Sequence, residues 1–187
     1  MLCLLGVVFF MSNLLREINP TENLDKNVFD LISNSWMLIT AGDSKKLNTM
    51  TASWGCFGSL WGKFITMCFI RPERYTFKFV ESNDFYTLSF YNDKYRDVLK
   101  YCGTHSGRDV DKIRNTNLTA VFDEKAPYFK ESSLVFICKK IYSDYMYKKN
   151  FTNEEIQSNI CNAWYRDSDS ADFHKFYIGE IVKVLSR

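Results

Sequence analysis

Five short runs rich in apolar residues, each broken off by turn-forming residues, constrain this chain most. They are Trp36 to Ala41, Phe64 to Ile70, Phe85 to Tyr91, Leu134 to Tyr142 and Phe176 to Leu185. Each has the length of a strand, too short for a helix that buries itself unaided. Helical patterns do not alternate regularly with them, and no Gly-x-Gly-x-x-Gly is present, so a parallel doubly wound sheet is disfavoured. The expectation is a mainly β, antiparallel sheet curled into a small barrel with three or four peripheral helices.

Within that frame, Gly42-Asp43-Ser44 ends the first strand in a turn, with Gly42 free to take φ > 0. Asn48 to Gly55 then returns as the second strand of a hairpin. Phe64 to Ile70 is apolar on both faces and reads as a buried strand, whereas Phe85 to Tyr91 alternates and reads as half-buried. Helices are expected at Asn27 to Ile32, from Pro72 through Glu81, at Asp93 to Tyr101, and briefly after the polar loop 103–112. Thr152-x-x-Glu155 has capping-box spacing and opens a helix reaching about Tyr165. Asp167 to Asp172 reads as a solvated acidic loop. In the last strand, Phe176, Ile178, Val182 and Val184 are expected on one face.

A chain of 187 residues is one domain by size and can bury a sizeable core. Its net charge is only +2 with scattered basic residues, which argues against a nucleic-acid partner. The six cysteines form no Cys-x-x-Cys pair and suit reduced thiols in a cytoplasmic setting. Residues 1–11 are apolar but too few to span a bilayer, and they lack a positive start and a cleavage site. They read as a leader preceding a true start at Met11, leaving 12–187 as one domain with no membrane partner; a membrane anchor is the alternative.

Two segments carry candidate chemistry. In Asn48-Thr-Met-Thr-Ala-Ser-Trp-Gly55, Asn48, Thr51 and Ser53 could meet an edge rich in carbonyls and ring nitrogens, while Met50 and Trp54 cover an aromatic face. A polar edge strand is the plainer explanation of that stretch alone. In Arg71-Pro-Glu-Arg-Tyr-Thr76, a strand ends and a helix begins beside two arginines, which is how a phosphate can be held. Solvated arginines at an ordinary helix start explain it equally well. Cys102-x-x-His105 is half a metal site without a second half, so no metal is expected. Aromatic residues make up 17% of the chain, enough that some rings should face a ligand or partner.

These two segments, with Ser106-Gly-Arg-Asp-Val-Asp-Lys112 and His174-Lys-Phe-Tyr-Ile-Gly-Glu180, occur in an order and spacing that resemble the flavin reductase-like family, especially its flavoredoxin-type members. The resemblance covers roughly Trp36 to Val184. It implies an FMN-binding split barrel that forms a homodimer. On that basis Asn48, Met50, Thr51, Ala52, Ser53 and Trp54 would line the flavin ring and ribityl chain. Arg71, Arg74, Tyr75 and Thr76 would lie at the phosphate, with Ser89 reaching the ring. Ser106, Gly107, Arg108 and Lys112 match the family's second polar loop, and His174 matches a histidine placed where a nicotinamide approaches. Relatives often carry Gly-Asp before that histidine, whereas Asp172-Phe173 stands here, and 142–172 is longer than the compact form needs. The implied function is an NAD(P)H-dependent FMN oxidoreductase serving an electron-acceptor protein or free flavin. A flavoredoxin-like carrier without nicotinamide activity is the alternative, and a barrel for some other phosphate ligand ranks last. Thr51→Val is expected to weaken FMN retention while the fold stays intact.

Overall fold

The computed structural model describes residues 14–24, 26–123, 125–165 and 173–187. The apolar leader and the acidic loop Asp167 to Asp172 lie outside the described residues. In chain order the elements are β1 (Arg16–Glu17), α1 (Pro20–Asn23) and α2 (Val28–Asp30), which runs into a π-helical turn at Leu31–Ser35. Strands β2 (Met37–Gly42), β3 (Leu47–Ala52), β4 (Gly55–Leu60) and β5 (Lys63–Ile70) follow, then α3 (Tyr75–Ser82), β6 (Phe85–Phe90), α4 (Arg96–Thr104) and α5 (Lys112–Thr116). The chain closes with β7 (Ala120–Phe122), β8 (Pro127–Phe129), β9 (Leu134–Tyr145), α6 (Glu154–Trp164) and β10 (Lys175–Ser186).

Seven strands form one antiparallel path, β3-β2-β6-β9-β10-β5-β4, with β1 added to β10. Its two edges, β3 and β4, are joined through Ser53 and Trp54 alone. Two intervening residues span at most about 11 Å, so the sheet must curl until its edges meet. No ladder joins β3 to β4, and the result is a split barrel. The barrel encloses Met37, Ile39, Met50, Ile70, Leu88, Phe90, Phe136 and Tyr177, and Phe79 and Val80 of α3 close it.

The expected strands and the hairpin turn form, and Gly42 takes φ 131°. Several details differ. β4 was not expected, because Gly55, Gly58 and Ser59 give it little strand character. A two-residue turn with positive φ at Trp61 and Gly62 nevertheless pairs it with β5. β6 is buried on both faces rather than one: its Tyr86, Leu88 and Phe90 enter the barrel, while Thr87 hydrogen-bonds Pro127 O on β8. β5 is buried only after its first two residues, with Phe64 half exposed at the hairpin end. Register shifts along β10 turn Val184 to the barrel and Val182 to an outer cluster with Leu185, so the expected single face is broken. Pro72 precedes α3 rather than opening it, and Asn153, not Thr152, caps α6 by accepting from Ile156 N. No helix of the described residues is long and apolar enough to cross a membrane.

Candidate functional site

A cleft of about 460 Å3 opens along the free edge of β3. It is lined by Met50, Thr51, Ala52, Ser53 and Trp54 on one side and by Arg71 and Arg74 on another, with His174 and Phe69 at its end. The last turns of α4, through Leu99, Gly103 and Thr104, form its opposite wall. A smaller hollow of about 170 Å3 adjoins it and shares Met50, Glu73, Arg74 and Thr104. Tyr75, Thr76, His105, Ser106, Arg108 and Lys112 complete that hollow. Thirteen of the expected positions therefore meet in two connected spaces, although they come from segments far apart in the chain.

The small hollow sits at the start of α3. Arg74 is the N-cap residue in extended conformation, its side chain makes no cap and its carbonyl accepts from Phe77 N at 2.9 Å, so the positive end of the helix dipole lies at the hollow. Arg74 Nη1 donates to Gly103 O at 3.1 Å, and Arg108 Nη1 donates to Glu73 O at 2.9 Å. Both guanidiniums are thus held at the rim by backbone carbonyls. Thr76 is buried, and its hydroxyl accepts from Asn48 Nδ2 at 2.8 Å, which leaves its own proton to donate. Asn48 itself lies behind the hollow. Gly107 covers it closely: a Cβ at that position would stand 2.1 Å from Asn48 Oδ1 and 3.1 Å from Tyr75 Cδ1. Ser106 Oγ accepts from Arg108 N at 3.2 Å and shapes the same loop.

Lys112 is buried, and its Nζ donates to Thr49 O at 2.9 Å and Cys102 O at 2.7 Å. It ties β3 to the end of α4 rather than offering a free head group. Burial lowers its pKa to about 8; nearby Cys102 opposes that shift and Arg74 adds to it. Thr51 is likewise committed, its hydroxyl donating to Leu99 O at 2.5 Å.

The other end of the cleft is aromatic. Trp54 lies 5.1 Å from the His174 ring and meets Trp164 edge-on at 5.0 Å. Tyr165 and His174 are both buried, with Tyr165 Oη and His174 Nδ1 2.8 Å apart. Arg71 donates to Trp164 O, lies 5.2 Å over the Tyr165 ring, and approaches the Glu73 carboxylate at 3.7 Å. It lines the larger cleft and not the hollow at α3, contrary to its expected place at a phosphate. Ser89 also departs from expectation. It pairs with Leu38 and Val135 in mid-sheet and is fully buried, on the face of β6 opposite the barrel residues. Its hydroxyl shares that interior with those of Tyr91 and Ser132, and the three approach one another without forming a well-aligned hydrogen bond. Nearby, Cys102 is buried, with its thiol pushed up to about 11, while His105 is exposed and stacked on Tyr101 at 3.9 Å. Among the described residues no group of three or more His, Cys, Asp or Glu is placed to hold a metal.

Residues that no motif marked also line the site: Trp36, Phe69, Leu99, Lys100 and Thr104; Glu73 lies within the Arg71–Thr76 segment but was given no role. Trp164 and Tyr165 brace it from α6. The available signal for the last two was the length of 142–172 and its capped helix.

A search of curated protein sequences gives no match. Among solved structures, the flavoredoxin from Methanosarcina acetivorans is 20% identical with a TM-score of 0.61, over 82% of this chain and 68% of that one. Flavoredoxin of Desulfovibrio vulgaris (Miyazaki F) is 22% identical with a TM-score of 0.59, over 80% and 67%. Nitrilotriacetate monooxygenase component B from Bacillus cereus is 13% identical with a TM-score of 0.61, over 89% and 79%. These likenesses bear out the split-barrel fold. A family model described as flavin reductase like domain matches residues 29–186. That match spans most of the sequence, and the chain belongs to the flavin reductase-like family.

Proposed function

We propose that this chain binds FMN and acts as an NAD(P)H-dependent flavin oxidoreductase that passes electrons to an acceptor. The observation that carries this reading is the pair of adjoining cavities, the larger flanked by rings and the smaller set at a helix N-terminus between Arg74 and Arg108. Bound there, the flavin supplies the two-electron chemistry. Met50, Ala52, Ser53 and Trp54 hold its ring system and ribityl chain, with Thr51 contributing its backbone while its hydroxyl stays on Leu99 O. Arg74, Tyr75, Thr76, Ser106 and Arg108 take the phosphate, where the helix dipole and two guanidiniums offset its charge. Asn48, Gly107 and Lys112 support those groups from behind. Trp36, Trp54 and Phe69 keep water from the reacting edge, and His174 orients the incoming donor. No side chain needs to act as nucleophile, because the cofactor carries the electrons.

The flavoredoxin-like alternative, an electron carrier without its own nicotinamide activity, is favoured by one feature. Trp164 and Tyr165 of the long 142–172 segment already pack against His174 and Arg71, where a nicotinamide would enter. Anaerobic mixing of the yellow protein with NADH and with NADPH decides between the two. Rapid bleaching supports the oxidoreductase, and no bleaching supports the carrier. A protein that is colourless and ignores added FMN defeats both.

The family match to 29–186 supports taking 12–187 as a single domain. We also take the protein to be a cytoplasmic homodimer, since exposed Trp61, Phe64 and Tyr142 offer an aromatic contact surface. Sedimentation of the purified protein at micromolar concentration should give twice the chain mass.

A further inference from the structure

A further cavity, of about 520 Å3, lies against the Trp54 end of the cleft. Ser53, Trp54, Phe69 and His174 line both spaces, so their occupants are neighbours across the Trp54 indole. Two outer segments build the rest of it. Phe29 and Ile32 come from α2 and the π-helical turn after it, and Ile160 and Trp164 come from α6. Both walls are held in place. The side chain of Asn27 accepts from Phe29 N and Asp30 N, and Arg71 donates to Trp164 O at the end of α6. Met146 borders the same space, its N–H donating to His174 O at 2.9 Å.

The chemistry of this lining differs from that of the cleft and the hollow. Arg71, Arg74 and Lys100 line the cleft, and Arg74, Arg108 and Lys112 line the hollow. Among the described residues that line the further cavity there is no Asp, Glu, Lys or Arg. A nucleotide phosphate placed there would give up water and meet no cation, an unfavourable exchange. Rings border it instead, with Phe29 81% and Trp164 54% exposed and Met146 exposed beside them. Large apolar side chains left in water around one concavity mark a place that something covers. The volume lies within the ~300–1,000 Å3 range of small-molecule sites. Continuity with the cleft narrows the choice to a molecule that exchanges something with the cleft's occupant.

We propose that this cavity seats the electron acceptor, and that the acceptor is a neutral, flat aromatic molecule of the quinone class. For its source of electrons this rests on the flavin reading above; the uncharged, ring-lined cavity stands without it. Phe29, Trp54 and Trp164 offer such a molecule stacking and edge contacts. The quinone takes up two electrons and two protons to become the hydroquinone. Reduced, dihydro flavin gives up the same two electrons and two protons and returns to its oxidised form. A nicotinamide nucleotide, with its phosphates, keeps to the arginine-lined cleft, so donor and acceptor arrive through different cavities.

The test titrates flavin-free protein with 2,3-dimethyl-1,4-naphthoquinone, whose reactive ring carbons are blocked so that exposed Cys56 does not add to it. Quenching of tryptophan fluorescence reads the binding, since two of the chain's four tryptophans line the cavity. Wild type should bind one quinone per chain, and the ring-sulfonated derivative at least tenfold more weakly. Phe29→Glu/Met146→Glu should weaken quinone binding at least tenfold and FMN binding less than twofold. Both side chains are exposed and line neither the cleft nor the hollow, so folding and flavin uptake are not at stake. With FMN bound and photochemically reduced under argon, quinone should reoxidise the wild-type flavin at least tenfold faster than the variant's, while oxygen reoxidises both alike. A sulfonated form that binds as tightly, or a variant that binds and reacts with quinone like wild type, overturns the proposal. So does a wild type that takes up no quinone; if the variant then sediments at half the wild-type mass, the face belongs to a second copy of this chain. In each of these cases FMN uptake stands as a separate reading of the flavin site. Quinone uptake by a protein that ignores FMN overturns the flavin reading and the acceptor role with it.

Discussion

The two ends of the cleft are held in different ways. At the α3 end, polar side chains are fastened to backbone or to one another: Lys112 to Thr49 O and Cys102 O, Thr51 to Leu99 O, Asn48 to Thr76. At the Trp54 end, long side chains lean on each other through rings, and one buried phenol–imidazole pair ties α6 to β10. A hydrogen bond fixes distance and direction, so the first arrangement makes a rigid seat for a group of set shape. Ring contacts tolerate several geometries, so the second suits a wall against which different partners pack. Each of the following substitutions strikes one end and asks whether the other feels it.

The largest effect is expected from Lys112→Met, which keeps the length of the side chain and removes both bonds to carbonyls. Leaving those acceptors without partners should cost about 2 kcal/mol at pH 7, after allowing for relief from burying a charge. The pH dependence is the sharper readout. The folded lysine titrates near 8, below its ordinary value of 10.5, so the unfolded chain binds more protons between those limits. Wild-type stability relative to the variant should therefore rise as pH passes from 8 toward 10.5. Urea unfolding at pH 7 and pH 9.5 measures both quantities. A constant difference would show that the amine is not held as described.

Gly107→Ala comes next, because the added methyl must displace Asn48 or Tyr75. Overpacking of this kind should cost about 1–2 kcal/mol and lower flavin affinity, while the contacts of Trp54 with Trp164 and His174 stay as they are. Unchanged flavin binding would mean that the loop has room to move. At the other end, Tyr165→Phe keeps the ring beneath Arg71 and removes the hydroxyl beside His174 Nδ1. Its expected cost is about 1 kcal/mol, with flavin affinity intact and the pH profile of nicotinamide-dependent bleaching displaced. A fall in flavin affinity here would show that the two ends are not independent.

How legible each end was follows from the same difference. Strands made of apolar runs, such as Met37 to Ala41, announced themselves. β4 did not, since Gly55, Gly58 and Ser59 carry no pattern and only the Trp61-Gly62 turn commits them to a hairpin. Short β7 and β8 are three residues each and hold shape by pairing with one another, a long-range property. At the α3 end, residue types revealed that donors were present but not where they would be spent. Ser89 was a plausible donor by alternation, which put it on the outward face of β6; packing against that face then buried it. Arg71 and Arg74 look alike in sequence; only the position of α6 separates them, by giving Arg71 the Trp164 carbonyl. Trp164 and Tyr165 had no motif at all, because their role comes from where a helix end lands.

Thr51→Val carries the smallest effect and tests the comparison most directly. Read from sequence, its hydroxyl faces a flavin, and its loss should release cofactor from an intact fold. The structure gives that hydroxyl to Leu99 O, where α4 packs on β3. Valine keeps the shape that touches Gly103, whose added Cβ would stand 3.3 Å from Thr51 Cβ. The expected outcome is therefore a loss of about 1 kcal/mol in stability, with flavin affinity changed less than threefold. Urea unfolding and a flavin titration on the same preparation read the two quantities side by side. A tenfold loss of flavin with stability unchanged would return Thr51 to the ligand's side. It would also mean that the α3 end gives up its internal bonds when the cleft is filled, which would make the seat adaptable and the contrast between the two ends one of degree.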